Sequence, residues 1–441
     1  MLGEWRGTMH QDFVRQPGKC SIKCMSLLAL LLLAVPSTSF ALPVQFGVGP
    51  DNNQALLLSH IQSARENLTI NIYLFDHPII AQAIVEKINA GVTVNLLVEG
   101  QPFGAVSDNG RTILNAIASA MARSGNPGHQ LLVMTKSASG EKRRYRYNHA
   151  KYVIVDHTRS LVSSENFTES GHANAGSVGN RGWETIVDDC DLAEQLEDIY
   201  AVDSDLSFGD VRRLKVPSQN VKVPQENGVK KRALKAISMG QGDARRATLI
   251  TSPDALDELL GLLRSAKSAI SIEHMGLPSN WRSAPNAGQN PVITELIRAA
   301  QRGVDVRVLL NDERVFSNTV GEEEDPAAPK RPNQLTVELL KSVAESENLP
   351  LAARIIDVRK LGITYLHNKG IVVDGTRALI SSINGSQNSV MNNREVAILL
   401  ESSDAARYYD SVFNLDWSSS GGAQRATNER GAFNFFEAFS L

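Results

Sequence analysis

Two copies of one pattern constrain this chain more than anything else in it. His149-Ala150-Lys151 is followed after four residues by Asp156, and His367-Asn368-Lys369 is followed at the same distance by Asp374. Each gap holds an apolar run rich in β-branched residues (152–155 and 371–373), and the tails read Ser163-Ser164-Glu165-Asn166 and Ser381-Ser382-Ile383-Asn384. In an extended strand successive side chains point to opposite faces, so the His and Lys of each copy share one face. A repeated strand of this kind demands a fold with two related halves.

The repeat extends well beyond the motif. Gly49-Pro50-Asp51 with residues 55–61 matches Ser252-Pro253-Asp254 with residues 256–263, and Ser63-Ala64-Arg65 matches Ser265-Ala266-Lys267. Both stretches read as an amphipathic helix, capped near its start by an Asp, that runs into an apolar strand at 68–72 or 270–272. Residues 84–91 and 296–303 read as helices ended by a Gly C-cap, with strands following at 92–98 and 304–310. Glu184 and Glu395 then head further apolar strands, and the closing helices match as 199–203 and 412–416.

Strands alternating with helices predict an α/β protein in which each lobe is a mixed β-sheet flanked by helices. Residues 42–205 form the expected N-terminal lobe with the first motif, and residues 247–441 the C-terminal lobe with the second. The stretch 206–246 is richer in charge and turn residues, holds Pro217 and Pro224 and lacks a counterpart in the repeat, so it reads as the interlobe linker.

A chain of 441 residues accommodates two such lobes, and 42% hydrophobic with 21% charged residues excludes wholesale disorder. A net charge of −3 and a pI near 6.3 exclude non-specific coating of nucleic acid, which needs a strongly basic surface. Any phosphate site must be local.

Residues 1–41 read as a secretory signal peptide. Lys19 and Lys23 precede an apolar run at 27–35, and Ser39-Phe40-Ala41 offers small residues for cleavage after Ala41. Pro36 and the polar residues 37–39 cut the run short of the roughly 20 residues a membrane span needs. The mature protein is therefore expected to be secreted or periplasmic. Cys20 and Cys24 lie in the leader, leaving Cys190 alone; its neighbours Val187, Leu192 and Leu196 predict a packed small hydrophobe.

A His beside a Lys makes a compact anion site. The lysine supplies fixed positive charge, and an imidazole with an unperturbed pKa of about 6.5 can attack or donate a proton near neutrality. That pairing suits a phosphate diester. Asn166 and Asn384 lie where a hairpin can return their amides to the same oxygens. Asp156 and Asp374 fall on the opposite strand face from the lysines and are expected to tie down the turn before Thr158 and Thr376.

The run Lys142-Arg143-Arg144-Tyr145-Arg146-Tyr147 interleaves basic and aromatic residues directly before His149. Arg144 and Arg146 are candidate contacts to a polyanion, either a nucleic-acid strand or an anionic lipid headgroup, with a solvated loop as the plain alternative. His77, His129, His172 and His274 show no metal-ligand spacing, so neither a metal nor a cofactor is expected.

These motifs resemble the phospholipase D superfamily, whose signature is His-x-Lys, four residues, Asp, six residues and Gly-Ser-x-Asn. Ser163 and Ser381 stand where that family usually has Gly. The resemblance implies two pseudo-two-fold-related lobes whose motifs meet at one site, with one His attacking phosphorus and the other protonating the leaving oxygen. It tilts the nucleophile to His149, forming a phosphohistidine, and leaves His367 as general acid and then base.

Lys151, Lys369, Asn166 and Asn384 would then hold the non-bridging oxygens as charge builds on phosphorus. Ser164 and Ser382 are either further donors to substrate or turn-stabilising. The family carries a Glu at the positions of Glu184 and Glu395, which are expected to orient the far nitrogen of each His. The function expected is an exported monomeric phosphodiesterase that hydrolyses, and can transfer, the phosphatidyl headgroup of phospholipid at a membrane surface. The alternative is a metal-independent exported nuclease acting on DNA or RNA. A non-enzymatic lipid binder fits less well, because neither copy lacks a catalytic residue.

Overall fold

The structure, a computed structural model, describes residues 41–135, 143–226, 230–232, 236–282, 287–317, 319–320 and 328–421. The expected leader up to Phe40, Lys142 of the basic run and the aromatic tail from Phe433 lie outside the described residues.

Each motif lands on a central strand. In the first sheet the strand order is Val211–Arg213, Gln130–Met134, Thr93–Glu99, Asn67–Ile72, Lys151–Val155, Arg159–Ser163, Trp183–Asp188, Leu42–Val48 and Gly240–Ala244. In the second it is Leu351–Ile355, Asp305–Leu310, Ala269–His274, Lys369–Val373, Arg377–Ser381, Glu395–Glu401 and Arg246–Ser252. The seven strands of the second sheet follow the order of the middle seven of the first. In both, the motif strand runs antiparallel to its neighbour, pairing Ile72 with Lys151 and His274 with Lys369. The strands beyond are parallel, as helical crossovers require. Both sheets are therefore mixed, as the alternation of elements predicts.

Residues 206–246 do more than link. Val211–Arg213 adds to one edge of the first sheet beside Gln130–Met134, and Gly240–Ala244 adds to the other beside Leu42–Val48. Neither strand has an apolar pattern, so neither is visible as a strand in the sequence. Backbone pairing alone recruits them. Gly240 and Gly242 also run against Tyr408 and Asp404 of the closing helix, where a Cβ would approach within 2.6 Å and 2.5 Å.

The helices Asn53–Ser63 and Leu256–Arg264 confirm the first repeat unit, but the Asp cap does not form. Asn52 and Ala255 hold the N-cap positions without a side-chain cap bond. Asp51 turns inward instead, to Arg181 and Arg232, because two buried guanidinium groups outbid a helix end. The expected Gly caps do form: Gly91 (φ 91°) and Gly303 (φ 88°) sit in the left-handed region after the helices Pro78–Asn89 and Pro291–Gln301. Cys190 is half-buried at the start of the helix Cys190–Asp203 rather than packed in a core, since the helix aims Leu192 and Leu196 inward and Cys190 at its rim.

Three cores result. One lies between the first sheet and its outer helices, built from Leu57, Ile70, Ile84, Leu96 and Ile117. A second lies equivalently on the outer face of the second sheet, with Leu263, Ile272, Leu296, Val308 and Leu340. The third joins the lobes: Phe46, Tyr152, Val162, Trp183 and Leu196 pack with Val372, Ile380, Ile398, Tyr409 and Phe413. Trp183 stacks on Tyr409 with ring centroids 4.5 Å apart. The described residues of both lobes thus pack as one compact unit.

Buried charge sets the registry of that interface. Arg181 of the first lobe is bonded to Asp416 of the second at 2.7 Å, and Arg394 of the second to Asp203 of the first at 3.0 Å. Both aspartates end or nearly end the closing helices that the repeat comparison matched. The backbone follows the same reciprocity: His149 N donates to Arg394 O and His367 N to Arg181 O, each at 2.8 Å. Each histidine strand is pinned to the opposite lobe.

Candidate active site

The reciprocal bridges carry the two histidines to carboxylates of the other lobe. His149 Nδ1 lies 2.7 Å from Glu395 Oε2, and His367 Nδ1 lies 2.9 Å from Glu165 Oε2. A carboxylate only accepts, so each Nδ1 carries the hydrogen and each Nε2 keeps a lone pair for chemistry. Burial, followed for His149 by the opposing effects of Glu395 and the lysines, brings both imidazoles down to about 4, so both are neutral at rest.

Lys151 and Lys369 are buried beside them. Lys151 Nζ donates to His149 O at 2.7 Å, and Lys369 Nζ donates to His367 O. Burial pulls Lys151 down to about 7 against the attraction of Glu395 and Glu165. Lys369 falls well below its ordinary value through burial and then repulsion from Lys151. Each lysine is acted on by both carboxylates, which places charges from two lobes in one pocket. Burial pushes Glu165 and Glu395 up, but their contacts with the histidines and lysines outweigh it, and both carboxyls end lower than usual.

Glu184 departs from expectation. It faces away from both motif histidines, taking Ser163 Oγ at 2.7 Å and lying 2.6 Å from His172 Nε2. Its counterpart Glu395 reaches His149 and is itself held by Ser382 at 2.6 Å, by Asn393 at 3.0 Å and by Ser389. The repeat is broken where Glu165 stands in the first tail and Ile383 in the second. With Glu165 already at His367, the Glu184 position is released for a structural pairing. Glu165 reaches His367 only because Gly182 leaves room: a Cβ there would lie 2.2 Å from Glu165 Oε1. The signal was present in the sequence as one acidic residue in one tail and not the other.

Other predicted residues divide. Asn166 and Asn384 are nearly buried, and each has a side-chain carbonyl oxygen without a protein partner. Ser164 Oγ accepts from Trp183 N, and Ser382 serves Glu395 and Val396 N, so these hydroxyls tie the hairpins rather than address a ligand. Asp156 receives the backbone N–H groups of Arg65, Glu66 and Asn67, and Asp374 those of Lys267, Ser268 and Ala269. Each thus anchors the loop before the neighbouring strand, with its own backbone at positive φ (50° and 55°).

Arg144 is not available to a substrate: its guanidinium forks onto Asp210 and caps Val202 O and Asp203 O at the end of the helix Cys190–Asp203. Arg146 is exposed beside Tyr147. Two aromatic residues the sequence did not single out line the site: Tyr73, with its ring 4.6 Å from that of His149, and Tyr365, 5.4 Å from His367. Among the described residues, no cluster of His, Cys, Asp and Glu could hold a metal ion.

A duplicated α/β fold whose halves each deliver a histidine and a lysine to one pocket defines the class of two-motif phosphodiesterases. The sequence profile described as "Cardiolipin synthase, PLD-like domain" matches residues 57–203 and 259–417, and the chain belongs to that phospholipase D-like family. Among solved structures, the phosphatidylserine synthase of Haemophilus influenzae Rd KW20 aligns with a TM-score of 0.58 at 11% identity, over 86% of this chain and 88% of that one. The phospholipase D family member Nuc from Salmonella typhimurium aligns over 39% of this chain and 99% of its own, at 23% identity and a TM-score of 0.31. No curated protein sequence matches the chain.

Proposed function

We propose that this phosphodiesterase acts on the phosphatidyl headgroup of phospholipids. The crossed pairs His149–Glu395 and His367–Glu165 carry the reading, because they give two neutral imidazoles with free Nε2 atoms in one lysine-lined pocket. His149 Nε2 attacks phosphorus as the bond to the leaving oxygen breaks, and His367 delivers a proton to that oxygen. Water or an alcohol then gives its proton to His367, attacks the phosphohistidine and releases His149. A bound phosphate anion between Lys151 and Lys369 offsets the charge that holds His367 down, and so favours the imidazolium the first step needs. The side-chain amides of Asn166 and Asn384 and the two ammonium groups hold the non-bridging oxygens.

Of the basic run that favours the nuclease alternative, Arg143 is committed to Glu99 and Arg144 to Asp210, and Arg146 stays exposed. We also propose export with cleavage after Ala41, which rests on the leader's residue pattern. N-terminal sequencing of the mature protein should then begin at Leu42.

The test uses phosphatidylcholine vesicles and, separately, plasmid DNA in EDTA, each with wild type and His149→Ala. Choline release that disappears in the variant supports the reading. DNA cleavage without choline release overturns it in favour of the nuclease. Including ethanol separates hydrolysis from transfer by the appearance of phosphatidylethanol.

A further inference from the structure

We infer that Phe103 and Phe316 form a paired anchor that enters the acyl layer of a phospholipid surface while the phosphodiester sits between the histidines. The inference rests on the phosphodiesterase reading and adds the surface from which substrate is taken.

Phe103 is 87% exposed and Phe316 58%, more than most large apolar side chains among the described residues. A phenyl ring in water is costly unless it has somewhere to go. Their positions are matched: Phe103 follows the strand Thr93–Glu99 and Phe316 follows Asp305–Leu310, the equivalent strands of the two lobes. Both connect directly to the site. Phe103 N donates to Tyr73 Oη at 2.6 Å, and the Tyr73 ring lies against His149. The Phe316 ring lies 5.5 Å from that of Tyr365, which lies against His367. Each histidine thus has one aromatic neighbour, and each neighbour carries one exposed phenylalanine.

Charge selects the occupant. Of the arginines near these rims, Arg143 pairs with Glu99, Arg144 with Asp210 and Arg314 with Asp312, which leaves Arg146, exposed beside Tyr147, as a single charge rather than a track. A nucleic-acid strand, with a charge at every nucleotide, needs a basic track along the groove. A phospholipid brings one diester charge and two apolar chains, which fits a lysine-lined pocket with apolar rims. Phe208 gives the contrast: it is 47% exposed, but the Arg144 guanidinium covers its ring at 4.1 Å.

The experiment compares the full-length wild type with Phe103→Ser/Phe316→Ser and Phe103→Trp/Phe316→Trp. The probes are vesicles of phosphatidylcholine with phosphatidylglycerol, and the soluble diester bis(4-nitrophenyl) phosphate. The serine variant should keep its rate on the soluble diester within twofold while its rate on vesicles falls at least tenfold. The tryptophan variant should keep the vesicle rate, and its new indoles should be quenched by brominated acyl chains. All three proteins carry the same leader, so its own affinity cancels. Absent quenching, an unchanged vesicle rate in the serine variant, or an equal loss on the soluble diester would each overturn the anchor. If no protein turns over any diester, the phosphodiesterase reading fails, and quenching still decides the docking.

Discussion

Glu395 Oε2 sits 2.7 Å from His149 Nδ1, although the two residues are 246 positions apart and belong to different lobes. The matching contact of Glu165 with His367 runs the other way between the lobes. Neither half of the repeat holds a complete site.

Glu395→Gln and Glu165→Gln should therefore each lower kcat by about 10²- to 10⁴-fold with little change in KM, because an amide can stabilise the wrong tautomer and cannot balance an imidazolium. Glu184→Gln should change kcat by less than about tenfold, since its carboxylate serves Ser163 and His172. Steady-state kinetics on a soluble diester checks both, and equal losses at Glu184 and Glu395 would contradict the asymmetry.

Gly182→Ala places a methyl group against Glu165 and should act like a partial Glu165 deletion. We expect kcat to drop at least tenfold while the near-ultraviolet circular dichroism of the folded protein is retained.

Arg181→Met removes a buried guanidinium, strips Asp416 of its arginine and leaves Asp51 with Arg232 alone. Breaking a buried ion pair from one side costs about 3–5 kcal/mol. Urea unfolding should show a loss of that size, and Asp416→Asn with Arg181→Met should lose less than the sum of the single changes.

Lys151 sits at about 7 in the resting site, so it carries its charge below that pH and sheds it above. Affinity for an anionic diester should fall as pH rises through neutrality. KM measured from pH 6 to 9 should climb, and Lys151→Arg, whose charge persists, should flatten the climb while lowering kcat.

His60 and His274 are held down to about 3 and His77 to about 4, in each case by burial first. Because folding depresses these values, the unfolded chain takes up protons first as pH falls below about 6.5. Stability should be full above that pH and drain away between about 6.5 and 3. Urea midpoints measured across that window test the sign, and a midpoint rising toward acid would refute it.

The motif strands, the doubled α/β order and the Gly caps were legible in the sequence, because periodicity and local turn chemistry act over a few residues. Asp156 and Asp374, expected to tie their own turns, hold the backbone of residues 65–67 and 267–269 instead. The sequence also held the acidic Glu165 in plain view, yet assigned orientation to Glu184, since a repeat read by itself invites symmetrical roles. Only the tertiary structure decided which carboxylate meets which histidine, that Arg144 belongs to Asp210, and that residues 206–246 supply edge strands. Those outcomes depend on how two lobes pack across a shared core, where partners hundreds of residues apart compete for the same buried charge, and no local pattern encodes the winner.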